Sequence, residues 1–165
     1  MAYDRADWHH GGDFPEDLAP ENGATHIGVF LGWAIKRGLV GAEHLADNRE
    51  AIAAVCSGQI SGRDFLMHHC DGKFLDADLN DEGKRFADAY YDEHYVNDYS
   101  ECLDSDLPSL YHVEDSAPNR AKMEAVLDRR FAAWRGSADP VRPLGGEPKA
   151  PRRPKPEKKP WWRFW

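Results

Sequence analysis

The clearest pattern in the chain is Gly23–Gly38, GATHIGVFLGWAIKRG, in which no charged side chain interrupts the run from Ile27 to Ile35. Ile27, Phe30, Leu31, Ala34 and Ile35 recur at the i, i+3, i+4, i+7, i+8 spacing of one helical face. Val29 and Trp33 add apolar surface opposite, so a helix over 25–37 is predicted to be buried by neighbours on several sides. Lys36 and Arg37 suit its C-terminal dipole, Gly38 can take the left-handed stop, and Thr25 or Asn22 is the candidate cap.

Around this central helix the pattern predicts four more. Ala42–Cys56 carries an apolar stripe of Leu45, Ile52, Val55 and Cys56, with Glu43, Asp47, Arg49 and Glu50 facing water, and Gly58 stops it. Ser61 and Asp64 resemble a capping box that opens a short helix with Phe65, Leu66 and His69, which ends at Asp71-Gly72. Asp81–Cys102 reads as one long helix, with Phe86, Ala87 and Tyr90 in a patch and Tyr91, Tyr95 and Tyr99 as an i, i+4, i+8 packing row. Residues 104–118 read as an irregular connection. Asn119–Trp134 is the last helix, on the period of Met123, Val126, Leu127, Arg130, Phe131 and Trp134, and Gly136 stops it. Residues 1–22, with Gly11, Gly12, Pro15 and Pro20, read as an irregular lead-in pinned by Trp8, Phe14 and Leu18. The expected fold is all-α: a single bundle of about five helices over 1–136.

Composition changes the picture after Gly136. Seven of the eleven prolines lie in 137–165, so this stretch is expected to be a disordered, extended tail. It holds eight Lys/Arg and three Asp/Glu, whereas the preceding 136 residues hold 13 and 26. The acidic body argues against phosphate-tracking nucleic-acid binding and suits a basic protein partner. The tail ends in Trp161, Trp162, Arg163, Phe164 and Trp165, a candidate docking motif for a protein partner. An anionic membrane surface and the chain's own acidic body are the alternatives for this basic, Trp-rich end. Cys56, Cys70 and Cys102 show no C-x-x-C spacing and read as reduced thiols. With neither a signal peptide nor a membrane span in the sequence, a cytoplasmic protein is expected.

At Trp8–Pro15 (WHHGGDFP), Gly23–Trp33 (GATHIGVFLGW) and Asp106–Val113 (DLPSLYHV) the chain resembles a family of small bacterial cytoplasmic proteins with no assigned activity. The resemblance covers about Tyr3 to Trp134. It implies a bacterial source and one compact domain, and it supplies no reaction.

Candidate chemistry is sparse. His9, His10, His26 and the run His68-His69-Cys70-Asp71 invite a metal, but adjacent helical residues point about 100° apart and no H-x-x-x-H pair falls on a predicted helix, so no metal or other cofactor is expected. Asp76, Asp78, Asn80 and Glu82 begin like a calcium loop, which then fails because Asp81 and Ala87 stand where Gly and Glu are required. There is no nucleophile elbow and no phosphate loop. The one polar set worth locating is His9, Asp13 and His26 beside Trp8, expected to bond the lead-in onto the central helix. Acid–base or metal-dependent catalysis by that set is the alternative. The leading expectation is a non-enzymatic binding module, of the antitoxin, immunity or adaptor kind found in bacterial conflict systems.

Overall fold

In the computed structural model, which describes residues 1–137, the central helix α1 spans Thr25–Lys36 and every residue from Thr25 to Ile35 is buried. Its apolar circumference is matched by neighbours on three sides: α3 (Arg49–Ser57), α4 (Gly62–His69) and α7 (Ala117–Gly136). The closest approach is to α4. A Cβ on Gly28 would sit 2.4 Å from the backbone of Arg63, and one on Gly62 would meet the Gly28 carbonyl. Only residues without side chains allow two backbones to cross at that distance.

The expected all-helical fold is present, with seven α-helices among the described residues rather than about five. The expected Ala42–Cys56 helix is two, α2 (Ala42–Asp47) and α3, broken at Asn48. Of the expected stripe, Val55 is buried and Ile52 packs against the core, whereas Leu45 is 50% exposed and Cys56 is exposed, and His44 is buried in their place. The Ser61–Asp64 capping box forms in both directions, and Gly58 (φ +78°) stops α3 as expected. The expected caps of α1 do not form: a 3-10 turn over Pro20–Ala24 leads straight into it, and the Asn22 side chain goes to the Tyr111 carbonyl instead.

The lead-in begins with structure the pattern did not suggest. Strand β1 (Ala2–Arg5) pairs antiparallel with β2 (Lys73–Leu75), in the register Asp4 to Phe74 and Arg5 to Lys73. The expected 81–102 helix is α5 (Asp81–Tyr90) and α6 (Val96–Leu103) joined by a π-helical turn, Tyr91–Tyr95. Tyr91, Tyr95 and Tyr99 are buried as a row. Tyr91 and Tyr95 meet Phe30 edge-on, with ring centroids 4.9 and 5.1 Å from it, and Phe74 and Phe86 close the same aromatic core.

Helix α7 adds Met123, Leu127 and Trp134 to that core. Asp128 accepts from the Trp33 indole at 2.9 Å. Arg130 forms a two-point ion pair with buried Asp98, at 2.7 and 2.8 Å, and the Tyr90 hydroxyl donates to the same carboxylate. Among the described residues no helix is long and apolar enough to cross a membrane. The tail expected over 137–165, with its aromatic end, lies outside the described residues apart from Ser137.

Candidate functional site: an acidic face stitched through Asp4

Strand β1 turns Asp4 inward, where its carboxylate becomes the hub of the lead-in. Oδ1 accepts from the backbone N–H of Arg5 at 2.8 Å and lies 2.8 Å from His9 Nε2. Oδ2 lies 3.3 Å from His26 Nε2 and accepts from the Tyr91 hydroxyl at 3.3 Å. Burial alone would raise the Asp4 carboxyl, but the bonds from His26 and His9 outweigh it and hold the group well below the usual carboxylate range. Burial lowers the His26 imidazole against the opposing pull of Asp4, so His26 is held neutral.

From this hub the stitching runs outward. His9 Nδ1 bonds the Tyr111 hydroxyl at 3.0 Å, and the Tyr111 carbonyl accepts from Asn22. Phe14 packs on the Tyr111 ring at 5.0 Å, and His10 reaches the Pro20 carbonyl at 2.8 Å. Two irregular segments, the lead-in and the connection between α6 and α7, are thereby held side by side over the start of α1.

Of the expected polar set, the structure brings His9 and His26 together, with rings 4.6 Å apart and edge to face. Asp13 is not with them. Gly11 and Gly12, at φ +108° and +61°, turn the chain so that Asp13 is exposed, and Asp4 occupies the place expected of it. Trp8 stands beside Arg5 and is 49% exposed. His68 and Asp71 are exposed, bonded to the Asp64 carbonyl and Lys73 respectively, whereas Cys70 turns inward toward His44. The acidic run at 76–82 has separate duties: Asp76 holds the N-terminal amine, Asp78 accepts from Leu75 N–H and Asn80 caps α5. Trp161, Trp162, Arg163, Phe164 and Trp165 lie outside the described residues.

The outer surface of the stitched segments has one sign. Residues 6–24 and 101–116 hold ten Asp/Glu and no Lys/Arg. Asp7 and Asp115 are paired, to Arg5 and to Arg63 and Arg120, but Asp13, Glu16, Asp17, Glu21, Asp106 and Glu114 are all exposed. The same segments expose Trp8 and, at 40%, Leu107. A small cavity of about 120 Å³ lies elsewhere, beside Val29, Val55 and Glu124, and a shallow dish of about 420 Å³ opens over Asn48 and His69. Neither includes the Asp4 hub.

Comparison with curated proteins and with solved structures returned no match. A family model does match, over residues 2–113, which takes in the ribbon, the hub, the lead-in, most of the connection after α6 and α1–α6 but not α7. The chain belongs to the family described as Domain of unknown function (DUF7832).

Proposed function

We propose that this chain is a non-enzymatic binding module of the bacterial cytoplasm, of the immunity or adaptor kind, that docks a basic protein on the face built by residues 6–24 and 101–116. The observation that carries this reading is the composition of that face: ten acids, no Lys/Arg, and an exposed tryptophan and leucine to supply apolar contact. One-signed charge steers a partner of opposite sign, and an aromatic anchor supplies affinity once it arrives. The hub beneath favours binding over catalysis. Each Asp4 oxygen already takes two donors, so the carboxylate keeps no lone pair to act as a general base. The aromatic tail end, Trp161 to Trp165, supplies a second attachment, to the same partner or to an anionic membrane surface.

The test is quantitative capture from the native host with the wild-type chain and with the triple reversal Glu16→Lys, Asp17→Lys, Asp106→Lys. One stoichiometric basic protein should be recovered with the wild type and lost with the reversal, while the melting temperature stays the same. Recovery that survives the reversal would overturn the reading. Vesicle flotation with and without residues 161–165 separates a membrane role of the tail from a protein one.

A further inference from the structure

A second polar cluster lies on the far side of α4 from the hub. His44 of α2, Cys70 at the end of α4 and Asp78 beyond β2 present ligand atoms that all fall within 4.8 Å of one another. His44 Nε2 is 2.8 Å from Asp78 Oδ1 and 3.8 Å from Cys70 Sγ. All three residues are buried or partly so. We propose that His44, Cys70 and Asp78 are a zinc(II) site that clips α2 to the end of α4 and to the 76–78 turn, with a water in the fourth position.

The chemistry of the donors selects the ion. Imidazole, thiolate and carboxylate oxygen are zinc ligands, at about 2.0–2.3 Å, and a thiolate disfavours magnesium and calcium. Two tetrahedral ligands at those lengths stand about 3.3–3.6 Å apart, close to the His44–Asp78 and His44–Cys70 separations of 2.8 and 3.8 Å.

Spare valence separates this cluster from the hub. Asp4 has four donors on its two oxygens, so a metal there must displace protein bonds. Among the described residues, Asp78 Oδ2 takes the Leu75 N–H while Oδ1 bonds His44, and the Cys70 sulfur has His44 Nε2 as its hydrogen-bond contact. The outer ring is also in place. The Asn48 amide sits between His44 Nδ1 (2.9 Å) and His69 Nδ1 (3.0 Å). Without metal, Nδ2 of Asn48 donates to His44 Nδ1, and His44 Nε2–H donates to Asp78. With metal on Nε2, the imidazole proton moves to Nδ1, and the Asn48 amide turns over to accept it. Zinc-bound histidines are held by such partners. The dish over Asn48 and His69 opens to solvent beside this outer ring.

Binding is acid–base chemistry with no change of oxidation state: Zn²⁺ and the Cys70 thiol give the zinc thiolate and one released proton. Without metal, burial and the neighbouring Asp78 charge push the Cys70 thiol far above its ordinary value, so it is inert as a nucleophile. A dication alongside reverses that preference.

The experiment uses the full chain, freed of metal by a chelator and titrated with cobalt(II) as the spectroscopic stand-in and then with zinc. The expected result is one equivalent of cobalt, with a thiolate charge-transfer band in the near ultraviolet that zinc abolishes. Cys70→Ser should remove the band, Asn48→Ala should weaken affinity about 10–100-fold, and Asp4→Asn should leave the stoichiometry intact. Zinc should raise the melting temperature of the wild type and not that of Cys70→Ser. Should Cys70→Ser fail to fold, the double variant Cys56→Ser, Cys102→Ser decides: with Cys70 as its sole thiol, it should keep the full band. The site is refuted by a band that persists in Cys70→Ser, by no saturable binding at millimolar cobalt, or by a band lost in Cys56→Ser, Cys102→Ser.

Discussion

The molecule holds two clusters of the same kind, histidine against buried aspartate, and they differ in what is left over. Around Asp4 the carboxylate is central and every lone pair is spoken for, by two imidazoles, a tyrosine and a backbone N–H. Around His44 the imidazole is central, and it faces one carboxylate oxygen and a thiol with capacity to spare. The saturated Asp4 carboxylate holds chain segments in place, and what is left over beside it is the buried, unpartnered Nδ1 of His26. An unsaturated centre with soft and hard donors has something to offer an ion. Residue types alone do not distinguish the two cases; counting donors against lone pairs does.

The largest effect that sharpens this contrast is Asp4→Ala. It leaves His26 and Tyr91 donors buried without an acceptor and should cost about 3–5 kcal/mol in urea unfolding. That equals the loss expected for Phe30→Ala in the aromatic core, about 3–5 kcal/mol. A loss at Asp4 under about 1 kcal/mol would mean the hub holds nothing.

Next comes pH. His26 is held neutral by burial, so as pH falls below about 6.5 the unfolded chain takes up a proton that the folded one refuses, and stability declines. Asp4 is held ionised, so a second decline follows below about pH 4, where the unfolded carboxylate protonates first. The melting temperature should therefore be highest above neutrality and lower at pH 5. His26→Gln should flatten the upper part of that decline whatever its absolute stability. A wild-type melting temperature equal at pH 5 and 7.5 would remove the buried neutral imidazole.

A smaller effect is expected at the open cluster. In metal-free protein Cys70→Ser should cost about 1 kcal/mol or less, since the sulfur makes only a weak bond there. The smallest belongs to the acidic face: Glu16→Lys, Asp17→Lys and Asp106→Lys should each shift stability by no more than about 0.5 kcal/mol. A larger loss would show these carboxylates to be structural rather than available for a partner.

Much of the helical scaffold is legible in the sequence, because α1, α4 and α7 carry strong period and clear stops, whereas α5 runs through a π-helical turn into α6 with no stop residue between them. Gly38 and Gly58 do what their positions suggest, with φ of +71° and +78°. What the sequence hides is short or distant. Strands of four and three residues, some seventy positions apart, are too brief to show a period of two, so β1 is invisible and Asp4 with it. Choosing Asp13 over Asp4 as the partner of His9 follows sequence proximity to a glycine pair whose turn points the other way. The break at Asn48 is hidden because Asn serves as a side-chain bridge rather than as a helix residue. His44 escapes notice, and Asp78 is read only within the failed calcium-loop pattern, beside the conspicuous His68-His69-Cys70-Asp71 run, of which Cys70 joins the cluster and His69 reaches it through Asn48.

The glycine crossing of α1 and α4 reaches further than the two helices. Because Gly28 and Gly62 let the backbones touch, Arg63 starts from a point almost within α1, and its guanidinium arrives at both Thr25 and Asp115. Asp115 ends the acidic segment that faces solvent. Even an alanine at Gly62 would push Arg63 outward by roughly the width of a methyl group. The register between the scaffold and the acidic face is thus set by the absence of atoms, and surface loops of this chain can be exchanged freely only so long as that spacing stays at zero.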